Sequence, residues 1–159
     1  MTHLGQKIPY FNLPDQSSEK KTFADLVGKS GLVLYVYPRD NTPGCTLEAN
    51  DFQTDLDQFT KLGYTVAGIS RDSVKRHCNF RDKYSLQFSL LSDPESKLLD
   101  KLEAWGKDDD KKKSLIGVIK SKIIRSTFVL DAKGHLLMEF RKVKAKGHVE
   151  TLLKELADL

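Results

Sequence analysis

The stretch Gly31-Leu32-Val33-Leu34-Tyr35-Val36-Tyr37-Pro38-Arg39-Asp40-Asn41-Thr42-Pro43-Gly44-Cys45 decides how the chain is read. Its first seven residues, Gly31 to Tyr37, are β-prone without polar alternation, the pattern of a strand covered on both faces. A turn-forming run follows, and then an amphipathic segment in which Leu47, Phe52, Leu56, Phe59 and Leu62 recur at near-helical spacing. One long helix is predicted from Pro43, with Gly63 as its C-terminal stop. Cys45 falls where the strand hands over to that helix. A cysteine that only fills a core is expected inside an apolar periodic segment, whereas one at a strand-to-helix turn has backbone N–H groups beside it that stabilise a thiolate.

Working outward, Tyr10 to Leu13 and Lys20 to Phe23 flank Pro14-Asp15-Gln16-Ser17-Ser18 and read as a short N-terminal hairpin, followed by a helical turn from Ala24 to Val27. Tyr64 to Ser70 reads as a second buried strand, Ser73 to Tyr84 as a helix and Phe88 to Leu91 as a third strand. Ser96 to Trp105 reads as a helix after the Asp93-Pro94 start signal. The mixed charge run from Lys107 to Lys113 is expected in a solvated loop. Arg125 to Leu130 and His135 to Arg141 form a hairpin around Asp131-Ala132-Lys133-Gly134, and His148 to Leu159 an amphipathic helix. Strands alternate with helices first and a hairpin follows, so the fold class is α/β: a central mixed sheet flanked by helices, in one domain over residues 1–159.

Composition agrees. At 159 residues, 39% hydrophobic and 30% charged, the chain has the balance of a soluble globular domain, and no apolar run approaches the roughly 20 residues of a membrane span. The first ten residues lack a basic region followed by an apolar one, so a cytoplasmic location is expected. A net charge of +4 could suggest an acidic partner, but the basic residues are spread and interleaved with acids, and no nucleic-acid motif is present. The two cysteines, Cys45 and Cys78, are expected to do chemistry rather than hold structure in a reducing compartment.

If Thr42 is the N-cap, Pro43 falls at N1, Gly44 at N2 and Cys45 at N3. Thr is a favoured cap, Pro at N1 loses only an N–H without an intrahelical partner, and the sulfur lands beside the unpaired amides of the first turn. A guanidinium would add to this, and Arg39 and Arg125 are the candidates. The plainer alternatives are Cys45 as a small buried hydrophobe and Thr42 as a cap alone; cap and catalyst are compatible roles for one hydroxyl.

Pro38-x-x-x-Thr42-x-x-Cys45 resembles the active-site signature of peroxiredoxins, and the run from Tyr37 to Ala49 is similar to the Q-type branch, the bacterioferritin comigratory proteins. Further matches are Gly68 to Ser73, Leu91-Ser92-Asp93, Trp105-Gly106-Lys107, Arg125 to Asp131 and Arg141 to Lys144, so the resemblance spans essentially the whole chain. It implies a thioredoxin-like fold and thiol-dependent reduction of hydrogen peroxide and organic hydroperoxides, with thioredoxin as reductant and no prosthetic cofactor or metal. It further implies Cys45 as the peroxidatic cysteine, Thr42 as the hydroxyl that orients the peroxide, Pro38 as the shield of the thiolate and Arg125 as the distant guanidinium. Glu48 matches a position where such proteins often keep an acid; it reads equally as a first-turn carboxylate favourable to the helix dipole. Q-type relatives are often monomers, and a monomer is expected.

The chain departs from that pattern at the resolving cysteine. The position five residues after Cys45 is Asn50, and the alternative place on the following helix aligns with Arg81. Cys78 lies about one helical turn before Arg81 and is the candidate for a Cys45–Cys78 disulfide. A one-cysteine cycle closed by an external thiol and an intermolecular disulfide stay open beside it. A general thiol–disulfide oxidoreductase is disfavoured because there is no Cys-x-x-Cys, and the His77-Cys78 pair alone is a poor zinc signal. His3, His135 and His148 are expected at the surface or in turns.

Overall fold

A computed structural model describes residues 4–107 and 121–159. The elements run β1 (Leu13–Pro14), β2 (Lys20–Lys21), α1 (Phe23–Leu26), β3 (Gly31–Val36), α2 (Pro43–Thr54), α3 (Leu56–Lys61), β4 (Tyr64–Ser70), α4 (Val74–Tyr84), β5 (Ser89–Ser92), α5 (Lys97–Lys101), β6 (Trp105–Lys107), β7 (Ser121–Ile123), β8 (Ser126–Asp131), β9 (Leu136–Arg141) and α6 (His148–Ala157). The central sheet has the order β5-β4-β3-β8-β9, with β3 parallel to β4 and antiparallel to β8. This is the mixed, helix-flanked sheet with a separate N-terminal two-stranded hairpin that the sequence predicts. Among the described residues no helix is long and apolar enough to cross a membrane.

All six residues of β3 are buried, which explains its unbroken apolar pattern: alternate side chains feed two different cores. Leu32, Leu34 and Val36 join Ile69, Phe128 and Leu99 on one face, while Val33 and Tyr35 join Phe52, Phe59, Phe80 and Leu152 on the other. The strand is packed tightly enough that a methyl group on Gly31 would sit 1.9 Å from the Leu130 carbonyl oxygen on β8. Cys45 belongs to the second core.

Three expectations are corrected. The long helix breaks at Asp55, which leaves helical geometry (φ −99°, ψ 10°), so that α2 and α3 are separate. Leu47 is 41% exposed; the face of α2 that packs is Cys45, Glu48, Ala49 and Phe52, whose 3- and 4-residue spacing includes a carboxylate in place of the leucine. The helix from Ser96 to Trp105 is only Lys97–Lys101: the Asp93 side chain accepts from the N–H groups of Lys97, Leu98 and Leu99 at its start, and Glu103 turns left-handed (φ 57°) at its end, freeing Trp105 to pair with Ile123. The charge run from residue 108 onward, and His3, lie outside the described residues.

Candidate active site

The end of β3 delivers Tyr37 and Pro38 into the turn, and Asn41, in the left-handed region at φ 64°, reverses the chain into α2. Asn tolerates that conformation better than most side chains. Thr42 takes the N-cap position with extended geometry, but its hydroxyl does not cap the helix: Oγ1 donates to the Arg39 carbonyl at 2.9 Å. The expected cap hydrogen bond is therefore replaced by one that tightens the turn. The first helical bond runs from the Thr46 N–H to the Thr42 carbonyl at 2.8 Å, so the amides of Gly44 and Cys45 precede it, at the positive end of the helix.

Cys45 is 1% exposed. Arg125, just ahead of β8, donates from Nη2 to the Cys45 sulfur at 3.2 Å and from Nη1 to Glu48 Oε1 at 2.6 Å. Its main chain is fixed by β8 on one side and by the Val143 N–H, which donates to the Arg125 carbonyl at 3.1 Å, on the other. Gly44 has a steric reason: a Cβ there would stand 3.2 Å from Arg125 Nη2. Arg39, the local candidate, is exposed, and so is Pro38.

Glu48 is fully buried, one carboxylate oxygen on Arg125 and the other, Oε2, without a hydrogen-bond partner among the described residues. Burial pushes its carboxyl up to about 7, with Arg125 opposing. The site thus holds a sulfur, a guanidinium and a carboxylate poised between its two protonation states, shut away from bulk water. Within it the guanidinium is the donor that can stabilise charge developing on an oxygen bound beside the sulfur.

One histidine differs from expectation, and another has a role that the sequence reading did not address. His148, expected at the surface or in a turn, is 6% exposed at the start of α6, with Nε2 2.7 Å from Thr127 Oγ1; burial, then Arg125, push its imidazole down to about 4. His77 is fully buried, 2.6 Å from Asp40, which also accepts from the Tyr37 hydroxyl at 2.6 Å. Sequence reading missed this group. The available signal was a histidine at i, i+3, i+7 spacing with Phe80 and Tyr84, on the apolar face of its helix.

Cys78, next to His77, points the other way. It is half-buried, receives Arg81 Nη2 at 3.4 Å and lies 3.8 Å from Asp82 Oδ2. Both cysteines are free thiols.

A thioredoxin-like sheet that presents a buried cysteine at a strand-to-helix turn under an arginine defines a cysteine-based peroxidase. Residues 4–138 match the AhpC/TSA family. "Peroxiredoxin Bcp" of Bacillus subtilis is 40% identical over 156 residues, covering 98% of this chain and 96% of that protein, and "Putative peroxiredoxin bcp" of Coxiella burnetii is 42% identical over 153 residues, covering 96% and 97%. Among solved structures, a PrxQ mutant from Xylella fastidiosa superposes with a TM-score of 0.86 at 34% identity, covering 99% of this chain and 97% of that one. The chain belongs to the AhpC/TSA family, among the peroxiredoxins of the Bcp/PrxQ type. It is a thiol peroxidase, an oxidoreductase that takes peroxide substrates and is recycled by a thiol reductant.

Proposed function

We propose that Cys45 is the peroxidatic cysteine and that Arg125, Thr42, Pro38 and Glu48 form its site. The observation that carries the reading is the 3.2 Å contact from Arg125 to the Cys45 sulfur. The Cys45 thiolate attacks one oxygen of hydrogen peroxide or an organic hydroperoxide; the S–O bond forms as the O–O bond breaks. The departing oxygen takes a proton and leaves as water or an alcohol. Arg125 and the amides of Gly44 and Cys45 stabilise the charge that moves onto that oxygen, and the Thr42 hydroxyl orients the substrate, with Pro38 at the rim. Cys45 is left as a sulfenic acid.

The sulfenic acid is then attacked by the Cys78 thiol, giving a Cys45–Cys78 disulfide and water, and thioredoxin reduces the disulfide by thiol exchange. The two Cα atoms must approach within about 4.4–6.8 Å for this bond. Because Cys45 is buried at the start of α2 and Cys78 sits on the outer face of α4, the first turn of α2 has to open for them to meet. A one-cysteine cycle with an external thiol is the second reading, and the outward placement of Cys78 favours it. The enzyme acts as a monomer in the cytoplasm.

Peroxide consumption coupled to thioredoxin, for wild type, Cys45→Ser and Cys78→Ser, tests these steps. Cys45→Ser is expected to abolish turnover. If Cys78→Ser retains full coupled turnover and the peroxide-treated wild type contains no 45–78 linkage by mass spectrometry, the cycle is the one-cysteine version. Sedimentation of the reduced and oxidised protein tests the monomer.

A further inference from the structure

A second polar group, built on Tyr37, Asp40 and His77, lies beneath the turn. Tyr37 and Asp40 are 1% exposed and His77 is fully buried. His77 Nε2 donates to the Leu91 carbonyl at 2.9 Å, and a carbonyl can only accept, so that nitrogen carries its proton. Nδ1 faces Asp40 Oδ2 at 2.6 Å, and a second proton is therefore shared between the imidazole and the carboxylate. Burial, then the charge of Asp40, push the Tyr37 phenol well above its ordinary range, which keeps it a donor to Asp40. The Asp40 N–H donates to Asp72 Oδ2 at 2.9 Å, and Asp72 also accepts from Ser70 Oγ at 2.7 Å and Arg76 Nε at 2.8 Å. The ligand atoms of Asp40, Asp72 and His77 lie within 4.8 Å of one another, but each already has a protein partner, so the group binds parts of the fold together rather than a cation.

What it binds together is informative. One side is the catalytic turn: Asp40 stands two residues before Thr42 and five before Cys45. The other side is α4, which bears Cys78 next to His77, and the carbonyl of Leu91 on β5. Beyond Asp40 the hold is weaker. Asn41 and Pro43 are exposed, Thr42 and Gly44 half-buried, and the Thr42 hydroxyl bonds back to the carbonyl of the exposed Arg39.

We propose that the buried Asp40–His77 pair is the fixed hinge of the catalytic turn: residues 37–40 stay locked to α4 and β5 while the segment from Asn41 into the first turn of α2 opens to bring oxidised Cys45 out to a resolving thiol. Opening past Asp40 would break its buried contacts with His77 and Tyr37 and its N–H bond to Asp72, whereas opening after it only frays one helical turn. Asp40 and His77 are positioning residues, and the proposal rests on the reading of Cys45 as the peroxidatic thiol.

Amide hydrogen exchange on the full reduced chain, read residue by residue by NMR, tests the hinge directly. The amides of Asn41, Gly44 and Cys45 are expected to exchange at least about 100-fold faster than the amide of Asp40. In Asp40→Asn the amide at position 40 is expected to rise to within a few-fold of its neighbours, and sulfinic acid formed per turnover, measured by mass spectrometry with dithiothreitol as reductant, to increase several-fold. A pair that only adds stability would lower the melting temperature and leave both the exchange order and the sulfinic yield as in wild type. The idea is overturned if the wild-type Asp40 amide exchanges as fast as those of Asn41 and Cys45, a result that needs no variant to fold. It is also overturned if a folded Asp40→Asn keeps the wild-type sulfinic yield. The exchange order measured in Cys45→Ser reports on the hinge even if that variant still consumes peroxide, in which case the peroxidatic assignment fails and not the hinge.

Discussion

Arg125 lies 80 positions after Cys45 in the chain, yet its Nη2 touches the Cys45 sulfur at 3.2 Å. The antiparallel pairing of β3 with β8 makes this contact possible, because Val36, at the end of β3, is opposite Ser126, the residue after Arg125. The guanidinium spans two side chains, with Nη2 on the sulfur and Nη1 on the buried Glu48. On the proposed assignment of Cys45 and Arg125, activity and stability are tied to the same side chain.

Arg125→Lys should separate the two roles. An ammonium is a point charge and cannot reproduce a planar fork spanning sulfur and carboxylate. Peroxide reduction is expected to fall about 100-fold, the scale for removing one preorganised donor. Arg125→Ala should lose as much activity and, by leaving a buried carboxylate without its cation, about 3 kcal/mol of stability at pH 8 as well. Stopped-flow peroxide consumption and urea titration read the two effects; equal stability of the Lys and Ala variants would contradict the pairing.

Gly44→Ala tests the approach of the guanidinium from the opposite side. The added methyl meets Arg125 Nη2 at 3.2 Å and must push it by a few tenths of an ångström. Peroxide reduction is expected to fall about tenfold through misplacement of the donor. Stability should be unchanged or higher by about 0.5 kcal/mol, since alanine is the better helix former. A variant with wild-type activity would mean that the contact does not set the rate.

The Tyr35 hydroxyl is fully buried and has no hydrogen-bond partner among the described residues, although its ring stacks on Phe52 at 4.4 Å between centroids. Tyr35→Phe keeps the ring and removes the unsatisfied group. Denaturant unfolding should show a gain of about 1 kcal/mol, where most core substitutions lose stability. A loss would indicate that the hydroxyl has a partner.

Sequence patterns alone predict β3, β4 and β9 because a buried strand needs continuous or alternating apolar residues, and those periods survive without knowledge of the partner. The turn at Cys45 is equally legible, since Thr42, Pro43 and Gly44 have local conformational reasons to be there. The break at Asp55 is not, because apolar spacing continues from Phe52 through Leu56 to Phe59 across it and only the backbone angle changes. Nor is the burial of Glu48, whose own position reads equally as a first-turn carboxylate favourable to the dipole until β8 brings Arg125 across the sheet. The Asp40–His77 pair is hidden for the same reason: its members are 37 positions apart, and only the β3-to-α4 packing joins them.

The two shifted groups near the site pull stability in opposite directions with pH. Glu48 is raised from 4.5 to about 7, so the folded protein holds that proton more tightly than the unfolded chain does. Its contribution is fully present below pH 4.5 and is lost as pH rises through about 7, a change of about 3 kcal/mol. His148 is lowered from 6.5 to about 4, so its contribution is present above pH 6.5 and is lost as pH falls through about 4. Between pH 4.5 and 6.5 the two slopes offset each other, and this part of the wild-type profile should be flat. Glu48→Gln removes one slope, and the variant should lose stability steadily as pH is lowered from 6.5 towards 4. His148→Gln removes the other and should become more stable over the same interval, because folded Glu48 already holds its proton there while the unfolded chain's carboxyl is still ionised. Urea midpoints collected at half-unit steps of pH decide this: if the Glu48→Gln curve runs parallel to wild type, Glu48 is not the group that titrates, and the picture of a carboxylate poised beneath Arg125 fails.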